Sequence, residues 1–200
     1  MAASTIVFDL DGTLIDTAPD LVDTLNVVFR REGWPPVPYE TARNTIGGGA
    51  RMMIARGIAA EGIAVAPAKL EQLFADFIAH YTEHLADRSR PFPGLAAALD
   101  ELASEGCHFA VCTNKLERLS VLLLKQLKLA DRFAAICGQD TFGMQKPDPE
   151  VLRRTVAAAG GSLTQAIMIG DRPVSELGPD RIISHFAQLQ SAIAAISPAN

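Results

Sequence analysis

No apolar run in this 200-residue chain approaches the length that a membrane span requires. The segment from Met1 to Asp11 meets charge too early to read as a signal peptide. These two absences predict a cytoplasmic protein with no membrane partner. A basic excess is missing as well: 18 Lys and Arg stand against 23 Asp and Glu, a net charge of −5 with a pI near 5.3. That balance argues against nucleic acid and against an anionic membrane surface as partners. A small anionic substrate stays open, because local fields can oppose the net charge. Cysteine is scarce. Cys107, Cys112 and Cys137 are odd in number and lack close zinc spacing, which predicts reduced, buried thiols. Internal repeats and low-complexity stretches are absent too. Apolar residues do make up 48% of the chain, which excludes a wholly disordered protein and allows one large domain, or one domain with an inserted companion.

Ser4 to Phe8 is a short β-branched and apolar run that reads as a strand buried on both faces. Thr17-Ala18-Pro19 then starts a helix whose face is Leu21, Leu25, Val28 and Phe29, ended by Gly33. Short helices are expected at Tyr39–Thr45 and Ala50–Arg56, with Gly47-Gly48-Gly49 between them. A long helix carries the stripe Leu70, Leu73, Phe74, Phe77, Ile78, Tyr81 and Leu85, expected to be core. No convincing strand falls between residues 18 and 86.

After Pro91-Phe92-Pro93-Gly94 the texture changes. A helix through Leu95, Leu99 and Leu102 ends at Gly106, and strands are expected at His108–Cys112, Ala134–Cys137 and Ala166–Ile169. Between them lie a helix with the stripe Leu116, Leu119, Leu123 and Leu127, and another over Pro149–Ala159. Such alternation predicts an α/β fold, a Rossmann-like parallel sheet with helices on both faces. The expected core is discontinuous, 1–17 and 87–200. Residues 18–86 form an inserted helical cap domain.

Polar residues cluster where the apolar strands end, which is where α/β proteins place their chemistry. Asp9 and Asp11 sit two apart as a strand runs into a turn, so in extended backbone both carboxylates share a side. Such a pair suits a divalent cation, or a nucleophile beside an acid/base. Thr113-Asn114, Lys146-Pro147-Asp148-Pro149 and Gly170-Asp171 follow in order. Each has an ordinary reading alone: an Asp-Gly turn, a helix N-cap ahead of Leu116, a surface lysine, a turn.

Together and in this order they are more specific. The chain resembles the haloacid dehalogenase-like hydrolase superfamily in its phosphatase branch. Phe8-Asp9-Leu10-Asp11-Gly12-Thr13-Leu14 matches the first motif, Thr113 the second, Lys146 the third and Gly170-Asp171 the start of the fourth. Within the superfamily the chain is most similar to phosphoglycolate phosphatases, through Ile15-Asp16-Thr17, Ile46-Gly47-Gly48-Gly49, Thr113-Asn114-Lys115 and Lys146-Pro147-Asp148-Pro149. The resemblance implies that Asp9 is the nucleophile and Asp11 the acid/base. It implies Mg²⁺ held by Asp9, the Asp11 carbonyl and Asp171. Thr113 and backbone amides near Leu10, Asp11 and Asn114 would hold phosphoryl oxygens, and Lys146 would offset charge. Arg51, after the glycine loop, is a candidate for the substrate carboxylate. His80 and His84, four apart on a helix, lack an evident third ligand and are expected to be a surface or packed pair.

The resemblance breaks after Asp171. The family continues with a second acid four or five residues on, then a helix and a strand. Here Glu176 has a workable spacing, but Leu177-Gly178-Pro179-Asp180 and Ile182-Ile183-Ser184 resemble the far C-terminal end. Either residues have been deleted, or a segment is missing between Asp171 and Pro173; the missing segment is favoured. The expected activity is Mg²⁺-dependent hydrolysis of a small phosphorylated metabolite, 2-phosphoglycolate first, by a monomer or homodimer. The alternatives are another sugar phosphate or pyrophosphate, a phosphoacceptor receiver, and a catalytically dead binding relative. Asp16–Pro19 and Ala86–Pro91 are the expected hinges of the cap.

Overall fold

The protein is described here from a computed structural model over residues 4–171, 183 and 185–196. Four parallel strands form the main sheet. Strand β1 (Thr5–Phe8) lies between β4 (His108–Cys112) and β6 (Ala166–Ile169), with β5 (Ala135–Cys137) beyond β4. Phe8 is level with Val111 of β4 and Ile169 of β6, so the chain leaves three strands at the same edge of the sheet.

The two-residue period of a strand sorts the core onto two faces. Ile6, Phe8, Phe109 and Val111 pack with helices α5 (Leu95–Ser104), α6 (Glu117–Gln126) and α8 (Leu189–Ile196). The alternate residues Val7, Ala110 and Cys112 pack with Val151 and Val156 of α7 (Pro149–Ala158). Both faces of the sheet are therefore covered, as the unbroken apolar strands require. α7 starts where Asp148 accepts a hydrogen bond from the Glu150 N–H, with Pro149 in its first turn. Cys112 and Cys137 are buried, whereas Cys107 is only half-buried, against expectation; all three thiols are free.

Helices α1 (Ala18–Arg31), α2 (Tyr39–Arg43), α3 (Ala50–Ala60) and α4 (Pro67–His84) make the cap. α1 buries Leu21, Leu25, Val28 and Phe29, and α4 packs across α1 and α3 through Leu73, Phe77, Ile78 and Tyr81. α3 continues past Arg56 through Gly57. A Cβ there would lie 3.1 Å from the Phe29 ring, so the bare backbone lets the two helices approach.

A second small sheet joins cap to core and was not expected from the sequence. β2 (Ile15–Asp16) pairs antiparallel with β3 (Arg90–Pro91), and Phe92 N–H donates to the Leu14 carbonyl. Two residues per strand leave no periodicity to read. Beside this ribbon Asp20, 3% exposed, accepts hydrogen bonds from the Arg88 N–H, the Ser89 N–H and the Ser89 hydroxyl. The outgoing and returning crossings are thus fastened to each other. The expected break after Asp171, including Glu176, falls on residues 172–182 and lies outside the described residues.

Candidate active site

The carboxyl ends of β1, β4 and β6 open into one cleft of about 330 Å³ between sheet and cap. Asp9 continues β1, its N–H bonded to the Ile169 carbonyl at 2.8 Å. Its Oδ1 accepts from the Leu10 N–H, and its Oδ2 lies 2.6 Å from Lys146 Nζ. After Asp9 the chain turns sharply. The N–H groups of Thr13, Leu14 and Ile15 all converge on the Leu10 carbonyl, and none of these bonds uses the Asp11 carbonyl. Gly12 sits at φ +79°, and a Cβ there would lie 2.8 Å from Asp171 Oδ2. Glycine at this position therefore serves both the turn and the approach of Asp171.

Asp11 is held on two sides. Its Oδ1 accepts from the Thr17 hydroxyl at 2.8 Å, and Lys115 Nζ lies 2.8 and 3.1 Å from its two oxygens. Thr113, 2% exposed, follows β4 and lines the cleft, with its Oγ1 accepting from the Lys115 N–H. Asn114 also lines the cleft, but its amide is engaged at both ends: Nδ2 donates to the Lys146 carbonyl and Oδ1 accepts from the Lys146 N–H. This clamp aims Lys146 at Asp9. The phosphate contact expected near Asn114 is for backbone amides; the side chain is the part that positions Lys146.

Arg51 is not among the residues lining the cleft. Glu71 grips its guanidinium twice, at 2.9 and 2.7 Å, and Phe74 lies under it at 4.1 Å, leaving the side chain 48% exposed. A bidentate carboxylate and an aromatic face satisfy an arginine well. The structure thus places Arg51, the expected partner of a substrate carboxylate, against Glu71 and outside the cleft lining. The His80 and His84 rings lie against each other, tilted by 40° with centroids 4.3 Å apart, and His84 Nδ1 lies 2.8 Å from Asp87 Oδ2. The stripe of α4 is core, as expected, yet Phe74, Phe77, Ile78 and Tyr81 also line the cleft.

Lys115 is the site residue to which sequence reasoning gave no role. Its side chain is 6% exposed, and its Nζ lies 4.6 Å from the Tyr81 ring centre on the cap. Burial works to lower its pKa, but the Asp11 carboxylate and Tyr81 outweigh burial and the net shift is upward. Burial pushes Tyr81 up to about 12, against the opposing pull of the Lys115 charge. The signals in the sequence were its place just after Thr113 at a strand end and its membership of the Thr113-Asn114-Lys115 stretch that carries the resemblance.

The glycine loop of the cap meets the core here. Gly47, Gly48 and Gly49 all have positive φ, and a Cβ on Gly49 would lie 3.0 Å from both the Asn114 carbonyl and Gln139 Oε1. Arg56 ties the loop down through the Thr45 and Gly47 carbonyls.

Among the described residues no cluster of three or more His, Cys, Asp or Glu side chains forms a metal centre. Asp9 and Asp171 nevertheless offer hard carboxylate oxygens from the ends of the adjacent strands β1 and β6, and both line the cleft. Magnesium takes one or two carboxylates and completes its shell with waters and substrate phosphate, so this donor set fits it.

The family model described as haloacid dehalogenase-like hydrolase matches residues 6–178. A phosphoglycolate phosphatase of Caulobacter vibrioides is 43% identical over 175 residues, covering 88% of this chain and 74% of the relative. One from Agrobacterium fabrum is 39% identical over 211 aligned positions, covering 94% of this chain and 91% of the relative. That share of 200 residues is about 188, so about 23 aligned positions of the relative have no counterpart here. A crystal structure described as a predicted phosphoglycolate phosphatase from Haemophilus somnus 129pt shares the fold, with a TM-score of 0.85 at 22% identity over 96% of this chain and 98% of that one.

Proposed function

This chain belongs to the haloacid dehalogenase-like hydrolase family, and we propose that it is a Mg²⁺-dependent phosphatase acting on a small phosphomonoester, 2-phosphoglycolate. One observation carries the reading. Asp9, Asp11, Thr113, Lys146 and Asp171 all line a single cleft roofed by the cap, with Lys146 2.6 Å from Asp9. The names of the relatives given above, phosphoglycolate phosphatases, support this choice of substrate, and the apolar cap wall suits a small leaving group.

In this reading an oxygen of Asp9 attacks phosphorus, the ester P–O bond breaks, and phosphate passes to Asp9 as an aspartyl-phosphate. Asp11 gives the leaving alkoxide its proton, without which an alkyl oxygen leaves poorly. Asp11 then takes a proton from the water that splits the aspartyl-phosphate, releasing phosphate and restoring both carboxyl groups. Lys146 offsets charge on Asp9 and the phosphoryl group, and Thr113 supplies a hydroxyl to a phosphoryl oxygen. Asp9, Asp171 and the Asp11 carbonyl would hold Mg²⁺, which supplies charge neutralisation between nucleophile and phosphate. Closure of the cap excludes water during transfer to Asp9. Asp16–Pro19 and Ala86–Pro91 are the segments that must accommodate its movement.

The test is phosphate release from 2-phosphoglycolate, a sugar phosphate, pyrophosphate and 4-nitrophenyl phosphate with Mg²⁺, then with EDTA, in wild type and Asp9→Asn. Turnover that is lost with EDTA and in Asp9→Asn supports the reading. Undiminished turnover in Asp9→Asn, or none by wild type on any substrate, refutes it.

A further inference from the structure

The cleft holds a polar feature that phosphoryl transfer to Asp9 leaves unused. Among the described residues lining it, only two are cationic, Lys146 and Lys115. Lys146 is committed to Asp9 at the phosphoryl end. Lys115 stands at the other end, under the cap, between Asp11 and the Tyr81 ring. Next to it the Tyr81 hydroxyl is buried, in a residue 1% exposed; among the described residues it interacts with the Lys115 ammonium, without the geometry of a full hydrogen bond. A buried hydroxyl without a full hydrogen bond is costly, and a ligand oxygen would relieve it.

We propose that the Lys115 ammonium and the Tyr81 hydroxyl together form the subsite for a carboxylate on the leaving group, so that the enzyme selects phosphomonoesters of small hydroxy acids. The proposal rests on the phosphatase reading above and adds how the leaving group is recognised.

Three further observations support it. An ammonium has three N–H donors; the two oxygens of Asp11 occupy no more than two of them, which leaves one on the side of the Tyr81 hydroxyl, where a ligand oxygen would meet both groups. Leu21, Phe77, Ile78 and Leu119 give the same cleft an apolar wall, which suits a short carbon chain between two charged ends. Of the arginines near the cap loop, Arg51 is taken by Glu71 and Arg56 by the Thr45 and Gly47 carbonyls. The spacing is also right for a two-carbon acid. In 2-phosphoglycolate the carboxylate carbon is two bonds from the ester oxygen. Adjacent side chains therefore reach both ends of one leaving group: Asp11 at the oxygen that departs, Lys115 at the carboxylate. Because Tyr81 belongs to α4 and Lys115 to the core, the subsite is complete only with the cap seated. A leaving group without the acid would leave the hydroxyl unsatisfied, which is how a polar pocket rejects an analogue.

The experiment compares kcat/KM for 2-phosphoglycolate with that for ethyl phosphate, which has a similar size and no carboxylate. The readout is the ratio of the two, in wild type, Lys115→Met and Tyr81→Phe. Any loss from a displaced Asp11 is common to both substrates and cancels in the ratio. Wild type should favour 2-phosphoglycolate. Lys115→Met should reduce that preference about 100-fold, chiefly through KM, and Tyr81→Phe about fivefold to tenfold. Tyr81→Phe removes one hydroxyl from a buried ring and carries the test if Lys115→Met does not fold. An unchanged ratio in either folded variant overturns the proposal. A wild type that hydrolyses ethyl phosphate and 4-nitrophenyl phosphate without preferring 2-phosphoglycolate overturns the subsite and leaves the phosphatase reading standing. A wild type inactive on all three overturns both.

Discussion

Asp20→Ala should destabilise the protein through the joint between cap and core. Asp20 lies in the first turn of α1 and takes three donors from the returning crossing. The Ser89 N–H is at 2.7 Å, the Ser89 hydroxyl at 2.6 Å, and the Arg88 N–H at 2.9 and 3.1 Å from the two oxygens. Ser89 is fully buried, so water cannot replace the carboxylate at its two donors. Hydrogen bonds to a charged group contribute about 1.5–3 kcal/mol each. Removing the carboxylate also recovers its own desolvation penalty, several kcal/mol for a buried ion. The balance is a loss of about 3 kcal/mol, which in a protein of this size lowers Tm by about 6–12 °C. Thermal unfolding followed by circular dichroism reads it directly. Asp23→Ala is the control: it removes an ion pair to the Arg88 side chain, 2.6 Å long but more than half exposed at both ends, and should change Tm little. A Tm for Asp20→Ala within about 2 °C of wild type, a shift of under ~1 kcal/mol, or an equal loss in Asp23→Ala, would refute the assignment.

Asp11→Asn should cost about 10²–10⁴ in kcat on alkyl phosphates and much less on 4-nitrophenyl phosphate, whose leaving group needs little protonation; equal losses on both would remove Asp11 from the acid/base role. Gly49→Ala forces a side chain into a backbone conformation, φ +88° and ψ 167°, that is essentially reserved for glycine, and against the Asn114 carbonyl. It should raise KM about tenfold by unseating the cap loop, at a strain of ~1–3 kcal/mol, and an unchanged KM would contradict that contact. The pKa of His80 is lowered by burial, by His84 and by Arg31, partly opposed by Glu83 and Asp87. Near and below its ordinary value of 6.5 the unfolded chain then binds more protons than the folded one, so stability is lost as the pH is lowered through that range. His80→Gln should shrink the drop in Tm between pH 7.5 and 5.5, and an identical drop would show that His80 is not responsible.

Local pattern decided most of the architecture. The strands around Ile6, Ala110 and Ile167 are unbroken apolar runs, and α1 and α4 carry their stripes at helical spacing, because burial on a sheet or a helix face repeats every few residues. The ends of those runs also named Asp9, Thr113 and Asp171, since a parallel sheet with its strands in register brings carboxyl ends together whatever lies between them. The tertiary structure alone decided what each charged side chain pairs with. Lys115 meets Asp11 across 104 positions and Asp20 meets Arg88 across 68, and no spacing rule links residues so far apart. Arg51 was drawn to Glu71 and Phe74 by the packing of α3 on α4, although the glycine loop beside it pointed to the substrate. The amide of Asn114 went to the backbone of Lys146 for the same reason. Burial follows from periodicity along the chain, whereas the partner of a buried charge depends on which elements the fold brings within a few ångströms, where the interaction falls steeply with distance and rises as water is excluded.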